Sequence, residues 1–337
     1  MGIKHLNKFL KDTCPKSISY LSLSELSGKK ISIDVSIYMY KFAAENCLIE
    51  NMYLMLTVFR HYNITPIFIF DGKPPEEKKA LLQKRRDDKK DAYAEYSRLK
   101  QQIQENITMD DDDKQDIMNN MDVLKRQFIT INKRQVDSVK DLIRCYGATY
   151  YDAPGEADEL CAMLVIKKKV WACMSEDMDM FVYGCSRVLR YFSLINYSVI
   201  CYDMKSILEE LNMSQNEFRQ ICVLSGTDYN YNATFDSGSD IPNLQKTTKM
   251  FHKYKSTQKK EFPVNLPDGF YCWLLENSSY IEDIELLKSI YNVFDLNDKH
   301  INIKIFEKIK IVNGPIIKDR IKNILQEDGF IYPVAKR

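Results

Sequence analysis

The sequence predicts an α/β fold built on buried parallel strands, and three observations carry that prediction. Residues 30–36 (KISIDVS), 66–71 (PIFIFD) and, more loosely, 170–177 (VWACMSED) are short apolar runs that end in acid. Continuous runs of this kind read as parallel strands covered on both faces, unlike the alternating pattern of a half-exposed sheet. Helical stretches separate them, which implies right-handed crossovers. Ligands of such sheets sit at the carboxyl ends of the strands, and that is where Asp34, Asp71 and Asp177 fall.

The elements follow in order. A helical stretch from about Tyr38 to Tyr62 joins the first two strands. Residues 76–146 are rich in Lys, Glu, Asp, Gln and Arg and nearly free of Gly and Pro until Gly147. They predict two long helices joined near 106–116, where NITMDDDDK breaks the pattern; a solvated hairpin and a binding element both fit. A further helix starts near Gly155. Beyond about residue 200 the chain turns helical, with Ser214 as N-cap and Glu217 completing a capping box for a helix to Leu224. Residues 226–242 read as a polar loop, 243–255 as a basic helix, and 256–337 as short amphipathic pieces without chemistry.

At 337 residues the chain holds one large domain or two modest ones, and 45% hydrophobic residues can bury a real core. Lys plus Arg number 48 and Asp plus Glu 47, so the net charge of +1 selects neither a nucleic acid nor a membrane. No apolar stretch approaches the length of a membrane span. The start, MGIKHLNKFLKD, is charged and has no apolar signal run, and Leu6 stands where a myristoylation signal wants Ser or Thr. Nine cysteines without a C-x-x-C pair read as reduced, mostly buried thiols in a reducing compartment, with no disulfide frame and no zinc site. Four scattered histidines leave the chemistry to carboxylates.

Seven carboxylates stand out by context: Asp34, Asp71, Glu156, Asp158, Asp177, Asp179 and Asp228. Asp177 and Asp179 follow a strand, where residues two apart point the same way. Glu156 and Asp158 open a helix after Pro154-Gly155, where such residues diverge and suit straddling two ions. Acids converging on one pocket raise one another's pKa and call for cations. Hard divalent ions with oxygen ligands answer that need, and two of them about 3.5–4 Å apart suit in-line attack on a phosphodiester. A single aspartate after a strand is ordinarily a cap or turn residue. Spacing alone leaves phosphatase, nuclease and polymerase-like chemistry open.

The wording of the motifs is more specific. MGIKHLNKFLKD, IDVSIYMYKF (33–42), PIFIFDGKPPEEKK (66–79), YYDAPGEADELCAMLV (150–165), SEDMDMFVYG (175–184) and LSGTDYN (224–230) occur in order over about residues 1–255. Together they resemble the flap endonuclease family, the XPG-like structure-specific 5′ nucleases. The resemblance implies a PIN-like α/β core with a parallel or mixed central sheet flanked by helices, a helical arch insertion and a helix–two-turn–helix module. On that reading residues 1–225 form the nuclease core: an N-terminal block 1–100, an arch over about 76–146 and an internal block of about 147–225. Residues 226–337 form a helical C-terminal region, and the divergent two-turn module spans about 214–255.

The same resemblance implies two Mg²⁺ ions, with Mn²⁺ able to substitute, and hydrolysis of DNA where a 5′ flap leaves a duplex. Asp34, Asp71, Glu156 and Asp158 would favour one ion, and Asp158, Asp177, Asp179 and Asp228 the other. Family members usually carry Glu at the position of Asp158, which reaches about 1.5 Å less far. Lys78 and Arg85, seven apart on one helical face with Lys89 a turn further, match the basic pair that faces the scissile phosphate and offsets transition-state charge. Residues 73–100 hold ten Lys/Arg against six Asp/Glu, an excess of four that includes Arg86. Exposed ion pairs along a helix would read the same way.

Tyr40 matches an aromatic that stacks on a base, although Tyr38 and Tyr40 also read as core residues. Gly2 belongs to an N-terminus that packs near the active site in this family. Asp110–Asp113 reads as a solvated tip where the arch bends. In the two-turn module the glycine-rich turn is replaced by Gly238, Ser239, Asp240, Ile241, Pro242 and Asn243, while Lys246, Lys249, Lys253 and Lys255 remain for phosphate contact. The expected partner is branched or flapped DNA, bound by a monomer, with no membrane partner and no sliding-clamp motif. The expected compartment is intracellular, either the nucleus or a cytoplasmic viral replication site. A relative with another junction or RNA preference, and a non-catalytic DNA-binding scaffold, are the competing expectations.

Overall fold

A computed structural model of the chain describes residues 3, 5–105, 111–229, 243–258, 269–278, 281, 283–296 and 309–330. Gly2, Asp110 and the replaced turn Gly238–Pro242 lie outside the described residues. The order of elements is α1 (Leu6–Thr13), β1 (Ile18–Ser22), β2 (Lys30–Asp34), α2 (Val35–Ala44), α3 (Leu48–His61), β3 (Thr65–Phe70), α4 (Lys79–Glu105), α5 (Asp111–Gln127), α6 (Lys133–Cys145) and β4 (Thr149–Asp152). It continues with α7 (Ala157–Ile166), β5 (Ala172–Met174), α8 (Asp179–Tyr183), β6 (Arg187–Ser193), β7 (Ser198–Asp203), α9 (Met204–Leu211), α10 (Gln215–Ser225), α11 (Leu244–Gln258), α12 (Gly269–Asn277), α13 (Ile284–Phe294) and α14 (Lys318–Glu327).

The strands form one mixed sheet in the order β1-β7-β6-β5-β2-β3-β4. Neighbours from β6 through β4 are parallel, whereas β7 is antiparallel to both β6 and β1. The period of two along β3 divides its side chains: Ile67 and Ile69 enter one core, Phe68 and Phe70 the other. Helices α2, α3, α6 and α14 cover the Phe68 face; α1 and α7–α13 cover the Ile67 face. Both faces are sealed, so the central strands can be apolar throughout. β2 pairs with β3 on one side and β5 on the other, and the chain leaves these strands in opposite directions. That reversal opens a crevice at the carboxyl ends of β2, β3 and β5.

The structure departs from the expected elements in three places. The helical stretch Tyr38–Tyr62 is two helices, because Asn46 takes a left-handed conformation (φ 56°) between α2 and α3. Residues 76–146 form three helices rather than two. Asn132 caps α6 and forms a reciprocal capping box with Gln135, and Val139, Leu142 and Ile143 bury α6 in the core. Only α4 and α5 therefore project as a hairpin, α4 alone being about 40 Å long at 1.5 Å per residue. Phe128 seats at its base between Tyr93 and Tyr96, with both ring centroids 5.3 Å away. Lastly, β5 stops at Met174, so Asp177 lies in a turn and Asp179 opens α8; neither continues a strand.

The last described segment straps back across the start of the edge strand β4. Gly314 N–H donates to Gly147 O at 2.7 Å, Ile317 N–H to Cys145 O at 2.8 Å, and Asn313 Nδ2 to Ile64 O at 3.0 Å. Gly147 is left-handed, and a Cβ there would meet Gly314 O at 2.5 Å. Beyond the strap, Ile321 and Leu325 of α14 complete the core over α6.

Candidate active site

The crevice collects the acids expected from the sequence. Asp34 ends β2, buried, and accepts a hydrogen bond from Ser175 Oγ at 3.1 Å. Ser175 Oγ in turn accepts from the Asp177 backbone N–H at 3.1 Å, so one buried hydroxyl joins the β2 end to the β5 turn. Asp71 follows β3 and accepts from Ala157 N–H at 2.9 Å, which places a carboxylate on the first turn of α7. Glu156 is the N-cap position of α7 and Asp158 lies in its first turn, buried. Asp177 accepts from Asp179 N–H at 3.0 Å.

Mutual repulsion ties these acids into one neighbourhood. Burial pushes Asp34 well above the carboxylate range, and Asp71, Asp158 and Asp177 push it further. Burial raises Asp158 to about 8; Lys78 opposes the rise, whereas Glu156 and Asp177 add to it. Burial also raises Asp179, with Asp177, Asp158 and Asp228 adding to the effect. Asp179 is 0% exposed, and among the described residues neither of its carboxylate oxygens has a hydrogen-bond partner. Among the described residues, no three of these side chains converge tightly enough to ligate one ion as they stand.

Two cations from the hairpin base occupy the rim instead. Lys78 lies in a single turn, Glu76–Lys78, that runs into α4; the residue is 6% exposed, and its ammonium donates to Glu156 Oε2 at 2.8 Å and Oε1 at 3.0 Å. Burial works against that charge, but Tyr229, Asp158, Asp179 and Glu156 outweigh it and hold the lysine pKa above its ordinary value. Arg85, one side of α4 further on, donates to Asp228 Oδ2 at 2.9 Å. Lys89 donates to Ile129 O at 3.0 Å and lies 5.2 Å from the Tyr40 ring centroid. Tyr40 is 45% exposed while Tyr38 is buried in the core, which separates the two tyrosines that the sequence left equivalent. Arg86 is exposed on α4, and Lys246 and Lys249 are exposed on α11, which follows Asp228, the last of the acids.

Three site residues escaped the sequence reading. Ser175 sits inside the SEDMD block and Tyr229 inside the LSGTDYN block, each close to an aspartate with the stronger local signal. Arg190 has no such marker. It is buried and donates to Glu176 O at 2.9 Å and Asn7 Oδ1 at 2.8 Å, fastening α1 to the turn that carries Asp177.

Comparison with known proteins accords with this arrangement. The pattern described as the XPG N-terminal domain fits residues 1–92, and that of the XPG I-region fits residues 147–228. The flap endonuclease 1 of Glycine max is 32% identical over 98% of this chain and 83% of its own length. The chain belongs to the flap endonuclease family. As an XPG-type nuclease it is a phosphodiester hydrolase. The Zea mays flap endonuclease 1 is 31% identical over 68% of this chain, and the match spans 62% of that protein. The fold is that of the catalytic core of Rad2 in complex with DNA substrate, with a TM-score of 0.62 at 19% identity over 96% of this chain and 95% of that one. Flap endonuclease-1 from Methanococcus jannaschii is also similar, with a TM-score of 0.60 at 19% identity over 94% and 91% of the two chains. Within the XPG nuclease, all nine cysteines are unpaired, and no helix of the described residues is long and apolar enough to cross a membrane.

Proposed function

We propose that this XPG nuclease is a Mg²⁺-dependent 5′ flap endonuclease with 5′→3′ exonuclease activity, acting on branched or flapped DNA in replication, recombination or repair. The observation that carries the reading is Asp179: a fully buried carboxylate whose two oxygens have no partner among the described residues, set near Asp177, Asp158 and Asp228, with Lys78 close by and Arg85 bonded to Asp228. Buried charge of that density needs positive counter-charge, and an all-oxygen donor set suits Mg²⁺, or Mn²⁺ in its place. The donor chemistry fits the group, and the carboxylates would have to draw closer together to ligate it. Asp34, Asp71, Glu156 and Asp158 would hold one ion; Asp158, Asp177, Asp179 and Asp228 would hold the second. Bound there, the pair supplies Lewis-acid stabilisation of phosphate charge and a lowered pKa for the attacking water.

The protein's own groups do the rest. Lys78 and Arg85 stand at the rim, each paired with one of the acids, and their charges would answer the negative charge that grows on the phosphate. Tyr40, with Lys89 beside it, offers a stacking face for a base next to the cut. Arg86 extends the basic surface of α4. Lys246 and Lys249 on α11 hold duplex backbone away from the chemistry, and Gly2, outside the described residues, keeps the role beside the active site that the family resemblance implies for it. The protein works as a monomer inside the cell, in the nucleus or at a viral replication site.

The decisive experiment is a panel of labelled flap, nicked, gapped and four-way substrates with Mg²⁺ or with chelator. Flap cleavage that requires Mg²⁺, and that Asp177→Ala abolishes while DNA binding persists, supports the reading. Cleavage by Asp177→Ala at the wild-type rate overturns the site, and a preference for four-way or RNA substrates reassigns the specificity.

A further inference from the structure

We infer that Tyr229 is a positioning residue for the reaction, locking Lys78 and Glu156 into one unit, and that α13 sets it from the C-terminal region through Phe294. The Tyr229 hydroxyl donates to Glu156 Oε2 at 3.1 Å, and Lys78 Nζ lies 4.6 Å from the centre of the same ring. One side chain thus touches both a proposed metal carboxylate and the proposed phosphate-facing cation. The inference rests on the nuclease reading above for the roles of those two groups.

Lysine needs such a support. Its ammonium is a point charge on a flexible stem, without the planar fork by which arginine fixes its own direction. The aromatic face beneath it and the carboxylate ahead of it restrict where the charge can sit. The hydroxyl does for Glu156 what groups outside a ligand set commonly do, holding one carboxylate orientation before an ion arrives.

Tyr229 is itself held from afar. Its ring meets Phe294 edge-on at 5.5 Å and 88°, and Phe294 packs on Tyr183 at 5.1 Å. Phe294 is fully buried at the end of α13. The buried Arg219 anchors that end: its guanidinium reaches Asp295 Oδ2 at 3.4 Å and donates to Tyr291 OH at 3.3 Å and Val182 O at 3.2 Å. A stretch that reads as featureless amphipathic helix therefore determines where a charge stands in the crevice.

The test compares Tyr229→Phe with Tyr229→Leu. Phenylalanine keeps the ring under Lys78 and against Phe294 but deletes the donor to Glu156. In a thermal-shift titration of metal-free protein without DNA, Tyr229→Phe should raise the Mg²⁺ midpoint about tenfold, and excess Mg²⁺ should recover its turnover. Tyr229→Leu should in addition lower kcat on flap substrate about 100-fold at saturating Mg²⁺, with KM within about twofold. Phe294→Leu should lower kcat in the same sense, by less. An unchanged Mg²⁺ midpoint in Tyr229→Phe, or a Leu variant whose kcat matches that of Phe, overturns the inference. If Tyr229→Leu fails to fold, the Phe titration still decides. Wild-type protein that cuts no substrate would remove the nuclease reading while leaving that titration as the test of the tie to Glu156.

Discussion

Gly72 lies in backbone contact with Ala153: a Cβ on Gly72 would stand 2.0 Å from the Ala153 carbonyl oxygen and 2.9 Å from that of Pro154. The Gly72 N–H also donates to Gly155 O at 2.7 Å. The loops after β3 and β4 are thereby zipped together, and that contact carries Asp71 to the first turn of α7, next to Glu156.

Replacing Gly72 with Ala should push these loops apart. Backbone atoms, unlike a flexible side-chain end, cannot step aside, so a loss of about 3 kcal/mol is expected. Chemical denaturation would read the loss, and a weakened Mg²⁺ midpoint should accompany it. A Gly72→Ala protein with wild-type stability would show that the contact relaxes freely.

Asp179→Asn should abolish cleavage yet stabilise the metal-free protein. The wild-type carboxylate is buried with both oxygens unpartnered, whereas an amide is neutral and donates hydrogen bonds toward the neighbouring acids. The gain should be about 1–3 kcal/mol in chelator, the usual cost of an unsatisfied buried polar group. A lower melting temperature for Asp179→Asn in chelator would contradict this account.

The pH dependence has a definite sign. Asp158 is raised from 3.8 to about 8, chiefly by burial. Between those values the folded state holds a proton that the unfolded state has lost. Stability of the metal-free protein is therefore favoured at low pH and falls as pH rises toward about 8. Mg²⁺ must displace that proton, so its midpoint should tighten by up to about tenfold per pH unit between pH 6 and 8 and flatten above. A midpoint independent of pH over that range would remove Asp158 from the site.

The lysines of α11 should act through salt. Lys249→Ala and Lys246→Ala should weaken flap-DNA binding, most at low ionic strength, with kcat unmoved. Each lost phosphate contact should reduce the slope of log affinity against log salt by about 0.9. An unchanged slope in the double variant would separate α11 from DNA.

The parallel centre of the sheet was legible because strands sealed on both faces are nearly continuous in apolar residues, as IFIF before Asp71 is throughout and ISI before Asp34 is but for the small Ser32. The antiparallel edge was not. In β1 only Ile18, Leu21 and Ser22 of the five residues are partly covered and none is buried, so no apolar run or clean alternation marks the strand. β7 begins where the sequence reads as turning helical, and β4 is half-buried along most of its length. The acids could be found one by one, since each follows a local signal. Their supports could not: the bonds from Ser175 to Asp34 and from Tyr229 to Glu156 span 141 and 73 positions, and no local pattern encodes such a distance. Tyr38 and Tyr40 differ only by the turn of α2, which sends one ring inward with Met39 and Phe42 and leaves the other facing out.

The strap formed by residues 309–330 bears on how the molecule is made. Until the ribosome has delivered Gly314, Ile317 and Leu325, the edge strand and the outer side of α6 have no cover, however complete the acidic crevice already is. The strap is thus laid down after the elements it covers, and a chain truncated before Gly314 should be more open to proteolysis than one that carries it.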